Sequence, residues 1–291
     1  MLLPKTLIIF GAALLCSIFN VQAQQQVLFK IKYLPNHSYT STSNISINIV
    51  MNVDSPQTAI DKIKAQGVQL PMIMKGENRM AFEVKTGSDD SKKIFPIVLK
   101  YTDASATRSI AGVVVPDAPN PLKGQSIYAH GNAEGKLEVD SIPGKQLNDT
   151  IKNALTSMIS NLTQQIKFPE KPMAIGDTFD QEVPFSMPVS GIAMNMTIKI
   201  TYKFIGVKDR IALFDLVQTC TYKFSKSQGD VNMVGYADGT GDGKLAYFID
   251  ENMTKQLLSS FTLNYKMKMN NEMKMTGTAQ TYTTVNYSIS K

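Results

Sequence analysis

The chain has no tryptophan, two cysteines and two histidines among its 291 residues. Each scarcity removes a class of function. Cys16 falls inside the N-terminal apolar run, which leaves Cys220 as a lone thiol, so no internal disulfide is expected to brace the chain. Its core must hold it together unaided, and chains of this size bury enough surface to do so. His37 and His130 are far apart and neither stands in a metal-binding spacing, so no metal or other cofactor is expected. Arginine occurs only at Arg79, Arg108 and Arg210. Nucleic-acid readers cluster basic residues and favour arginine, so a net charge of +6 carried by scattered lysines reads as a solvated surface, weakly attracted to anionic lipid headgroups.

Catalytic signatures are equally scarce. The chain has no Gly-x-Ser-x-Gly, and Lys85-Thr86-Gly87 has no Ser-Asp-Asn to accompany it as in penicillin-binding proteins. Carboxylates are plentiful, but nothing in the sequence pairs them for glycoside chemistry. The expectation is a protein that is not an enzyme.

Long apolar runs are missing beyond the first residues. Lys5, an apolar stretch from Leu7 to Phe19 and the small-residue pattern Val21-Gln22-Ala23 form a secretory signal, too short for a comfortable membrane span. Leu14 and Leu15 precede Cys16 where a lipidation signal carries a small residue. Cleavage is therefore expected after Ala23, giving residues 24–291 as a single exported domain, periplasmic or extracellular, and not an integral membrane protein.

What the sequence has in abundance is alternation. Ile45, Ile47, Ile49, Met51 and Val53 are separated by polar residues, as are Ile192, Met194, Met196, Ile198, Ile200, Tyr202 and Phe204. The runs 212–224 and 261–269 repeat the pattern. One buried and one wet face means antiparallel sheet, and strands this long point to a large curved sheet or open barrel, a mainly β (α+β) fold. Two segments break the period. A short helix is expected near 56–66, with Pro56 at its start and Gly67 at its end. A second, amphipathic helix is expected over 146–166, where Leu147, Ile151, Leu155, Met158, Ile159, Leu162 and Ile166 form one stripe. It would cover the sheet and join two lobes, 24–141 and 172–291.

The stretch 235–248, GYADGTGDGKLAYF, carries four glycines and two aspartates, and matches 129–137, AHGNAEGKL, at a distance of 108 residues. As a calcium loop it lacks the terminal Glu, and as a phosphate loop it lacks Ser or Thr after Lys244. Both copies therefore read as hairpins turning at Gly135 and Gly243, with Gly131 across from Leu137, Ala129 from Val139, and Gly239 from Leu245. His130 would face Glu138 on the polar side, and Cys220 would be a buried thiol.

Methionine is the compositional oddity. Met72 and Met74, Met194 and Met196, Met267 and Met269, Met273 and Met275 are four Met-x-Met pairs. The readings are core filling, a soft copper site without histidine support, or an adaptable wall for a lipid-like ligand. The third places a ligand cavity between sheet and helix, lined by Leu155, Met158, Ile159, Leu162, Met194, Met196, Met267 and Met269.

The signal segment, the return segment 168–179 (FPEKPMAIGDTF), the glycine-punctuated stretch and the final Tyr- and Met-rich strands resemble a family of exported bacterial proteins of unknown function. That resemblance implies no catalytic residues. A helix laid into a curved antiparallel sheet is also similar in architecture to periplasmic lipoprotein carriers. The expected function is non-enzymatic binding of an apolar small molecule or lipid in the cell envelope. The alternative is a structural or protein-interaction module with an envelope protein as partner.

Overall fold

A computed structural model describes residues 26–65, 67, 69–115, 123–132, 134–143, 166–189, 192–228, 231–270 and 273–291. The expected signal segment lies outside them, as does the helix expected over 146–166 apart from Ile166, which is described and is not helical.

Twelve strands and one short helix make up the described chain. In order they are β1 (Ser38–Asp54), α1 (Gln57–Ala65), β2 (Met72–Thr86), β3 (Ile94–Ile110), β4 (Val113–Val115), β5 (Ser126–Asn132), β6 (Leu137–Ser141), β7 (Thr178–Val189), β8 (Ile192–Lys208), β9 (Ile211–Gln228), β10 (Val231–Phe248), β11 (Met253–Met269) and β12 (Met273–Ser290). All pair antiparallel in one open sheet, ordered β6-β5-β3-β2-β1-β12-β11-β10-β9-β8-β7, with β4 added to the upper part of β3. β1 and β12 pair from Ser38 with Ser290 to Asp54 with Lys274, so the two halves of the chain share a single sheet. We call the end bearing Asp54, Ile110 and Met273 the upper end.

The expected strands and α1 are present, and the alternation behaves as physics requires. In β11, Phe261, Leu263, Tyr265 and Met267 are buried, while Asn264, Lys266 and Lys268 are exposed. Register shifts at Ala81/Phe82, Tyr128/Ala129, Phe204/Gly206 and Ala246/Tyr247 mark bulges in the lower half, and bulges bend the strands that carry them. The outer edge strand β7 carries Pro184 and Pro188, which lack the N–H a further strand would need.

Residues 26–37 cross the lower end of the inner face as an extended strap. Val27 and Met173 exchange backbone hydrogen bonds of 2.9 Å, Lys32 N–H donates to Asn252 O at 3.1 Å, and Asn36 N–H donates to Gly87 O at 3.1 Å. Phe29 drops its ring among Phe168, Phe204, Phe214 and Tyr247, with centroids 5.0–5.3 Å away. Burying such a ring contributes about 2–3 kcal/mol. The return segment closes on the same wall: Gly176 N–H donates to Phe204 O at 2.7 Å and Ala174 N–H to the Asp177 carboxylate at 2.8 Å.

The two glycine stretches part company. At 129–137 the hairpin forms as expected, with Gly131 across from Leu137, Ala129 from Val139 and His130 from Glu138. Gly135 turns at φ 93°, and the Asn132 side chain accepts Lys136 N–H at 3.0 Å. Residues 235–248 instead run straight through as part of β10. Gly239 lies between Leu263 of β11 and Cys220 of β9 rather than across from Leu245, and Gly243 lies across from Ser259 and Leu216. The reason is competition for hydrogen bonds. A hairpin would give two short arms, whereas the straight strand pairs along its length with both long neighbours. Gly235 and Gly239 make room for the rings of Phe224 and Phe261 on the adjacent strands, while Gly241 and Gly243 lie against the backbone carbonyls of Ser260 and Leu258.

Candidate ligand-binding face

The inner face gathers into three apolar clusters. Two occupy the lower end. One joins Tyr39, Phe82, Phe95, Tyr101 and Ile127 under Tyr33 of the strap, and the other joins Phe204, Phe214, Leu245 and Tyr247 under Phe29, Ile166 and Met173. Each is therefore capped by described chain outside the sheet.

The upper cluster differs. Its buried members include Met51, Met196, Met233, Met267 and Met275, with Met72, Met269 and Met273 partly buried at its margin. These methionines come from six strands, and every described member of the cluster is a strand residue. Cys220, Phe224, Leu263 and Tyr265 complete it. Burial pushes the Tyr265 hydroxyl up to about 12 and the Cys220 thiol above its ordinary value. Both groups are neutral at physiological pH, so the wall is uncharged as well as apolar.

Of the expected site residues, Met196 and Met267 are buried in this cluster and Met269 lies at its margin. Met194 is on β8, across from Met187, but its side chain lies outside the described set. Leu155, Met158, Ile159 and Leu162 lie outside the described residues. The sequence reading missed Met51, Met233 and Met275 as members. Met51 and Met275 sit in alternating runs that could have revealed them, whereas Met233 carries no such signal.

Between the upper and lower clusters the inner face turns polar. Gln218 of β9 is buried, and its amide donates to Ser259 Oγ at 2.7 Å, Ser260 O at 3.2 Å and Asp242 O at 3.4 Å. Ser41 of β1 is also buried on this face, with no hydrogen-bond partner for its hydroxyl among the described residues. Such a group costs about 1–3 kcal/mol when left dry.

The other clusters of ionisable side chains among the described residues lie at the surface. The His130 ring stands between Asp140, at 2.6 Å from Nδ1, and Glu138, at 3.4 Å from Nε2. The hydrogen bond and charge of Lys136, with a smaller contribution from His130, hold the Glu138 carboxyl below its ordinary value. Among the described residues no group of three or more His, Cys, Asp and Glu could hold a metal ion. No described helix is long and apolar enough to cross a membrane. Open clefts lie elsewhere. One of about 620 Å³ lies beside the strap at Phe29, Lys30 and Phe168, and one of about 540 Å³ lies on the outer face, with Met267 at its border.

No family model and no curated protein matches the chain. Among solved structures it is similar to lipovitellin, from work on lipid–protein interactions in that protein, with TM-score 0.44 and 10% identity over 89% of this chain. The chain spans 26% of the lipovitellin chain. It is also similar to Pseudomonas aeruginosa OccK5 (OpdH), with TM-score 0.26 and 5% identity over 86% of this chain and 98% of that one. The type II secretin GspD of enteropathogenic Escherichia coli gives TM-score 0.23 and 6% identity over 99% and 75%. At these scores the likeness carries no functional weight.

Proposed function

We propose that this is a non-enzymatic, exported protein of the bacterial envelope that holds an apolar, acyl-bearing ligand against the upper, methionine-rich part of its inner face. The observation that carries the reading is the convergence of methionines from six strands on one uncharged wall whose described members are all strand residues. Thioether side chains are unbranched and polarizable, so such a wall adapts to chains of varied length and shape. The lower clusters, closed by the strap and the return segment, supply the rigid base. The buried thiol of Cys220, whose pKa is raised by burial, offers no nucleophile, which supports a binding rather than a catalytic role.

Native mass spectrometry of protein purified from an envelope fraction, before and after organic extraction, tests this. An apolar adduct that extraction removes is the expected result. A single unadducted mass, together with capture of an envelope protein from the same fraction, would replace this reading with that of an interaction module.

A further inference from the structure

The outer face of the sheet carries, at its upper end, a feature that ligand binding on the inner face does not use. Lys223 of β9, Lys266 and Lys268 of β11, and Lys274 of β12 are all exposed there. The register sets Lys268 directly across from Lys274, and Tyr236 between Lys223 and Lys266. Like charges directly opposed across a sheet are destabilising. Among the described residues none of the four has a carboxylate within ion-pair distance, although Asp54 lies across from Lys274. Val234 and Tyr236 stand exposed between these lysines, and the cleft of about 540 Å³ is bordered by three of the four.

A second observation lies at the same end of the sheet. β3 and β4 meet in a two-residue turn, Ala111 and Gly112, at φ 50° and 82°. The hairpin displays Ile110, Val113, Val114 and Val115 to solvent, with Val113 and Val114 69% and 70% exposed. Ile73 of β2, whose carbonyl accepts Ala111 N–H at 2.8 Å, adds a further exposed apolar side chain. Val114 and Ile73 share the face of the lysines; Val114 lies four strand spacings from Lys274 across the sheet, about 19 Å, and six residues away along the strand direction, about 20 Å.

We infer that this end of the protein docks on an anionic bilayer surface. The lysines meet the headgroups and the Ala111–Gly112 hairpin inserts its valines at the acyl boundary. The inference is independent of the ligand proposed for the inner face. Charge complementarity identifies an anionic partner, and an apolar tip at the same end of the sheet selects an extended bilayer surface over a soluble polyanion, which has no apolar phase to receive it. Nucleic acid is disfavoured further by the absence of arginine from the patch.

Co-sedimentation of the purified protein with vesicles decides the matter. The protein is expected to pellet with phosphatidylcholine–phosphatidylglycerol vesicles and not with phosphatidylcholine alone, and to be released by salt. K268Q/K274Q is expected to weaken partitioning by about thirtyfold, at about fivefold per lysine. V113S/V114S is expected to weaken it by about tenfold or more. These positions are exposed, so V113S/V114S should melt with the parent protein and K268Q/K274Q, relieved of the opposed charges, at or slightly above it; K223Q/K266Q provides a second lysine pair if K268Q/K274Q fails to fold. No pelleting with anionic vesicles overturns the inference. Capture on heparin equal to that on vesicles, with V113S/V114S unaffected in both, also overturns it and assigns the lysines to a soluble polyanion.

Discussion

The ring of Tyr265 in β11 lies over Gly277 of β12, in the space that a β-carbon on residue 277 would take. The Val50 carbonyl closes the same space from the other side, 2.7 Å from that position. Gly277→Ala is therefore expected to destabilise the fold by about 1–3 kcal/mol, the usual cost of overpacking. A urea midpoint that falls at constant m would show it. Gly76→Ala is the control: its nearest neighbour would be Thr107 O at 3.8 Å, so stability should be unchanged or slightly raised.

One hydroxyl makes two of the strap's hydrogen bonds. Tyr247 OH accepts the Lys30 N–H at 3.3 Å and donates to the Lys30 carbonyl. Tyr247→Phe keeps the ring among Phe29 and Phe168 but strands both backbone groups. The expected cost is about 1–2 kcal/mol, with faster amide hydrogen exchange concentrated in residues 26–37. Exchange that rises uniformly along the chain would contradict this role.

Alkaline pH should unfold the protein cooperatively. Burial pushes Tyr39, Tyr101, Tyr202 and Tyr265 each up to about 12, from an ordinary value of 10.0. The folded state holds these protons more tightly than the unfolded chain does. The stability they contribute is complete below about pH 10 and is lost as pH rises through about 12. Ionisation of these four rings, followed ring by ring with NMR, and far-UV circular dichroism should change together in that window. Any of the four ionising in a chain that stays folded would show that it is not sealed.

Cys220 reports on the same packing. It is buried between Gly239 and the β8 wall, and burial raises its pKa. Labelling by a thiol reagent should be negligible in native buffer and complete in denaturant. Rapid native labelling would mean that the upper cluster opens.

Much of this architecture was legible as a period of two, because a long half-buried strand leaves that trace in its own residues. β1 and β8 show it at Ile45–Val53 and Ile192–Phe204. Partnership between strands leaves no such trace. The letters around Gly239 suit a turn as well as a strand, and what decides between them is the length of β9 and β11 on either side. Met233 joins the upper cluster for the same reason: its place follows from the register of β10 against β11, not from its neighbours in sequence. The opposition of Lys268 and Lys274 likewise emerges only from pairing.

The pairing of Ser38 with Ser290 has a bearing on biosynthesis. During translation β1 can pair with β2, but its other side has to wait until β12 emerges more than two hundred residues later. For that interval a strand destined for the middle of the sheet is an exposed edge, the kind of surface that invites aggregation. A polypeptide built this way carries that open edge for as long as it is incomplete, and its rate of maturation should be governed by the arrival of its last strand.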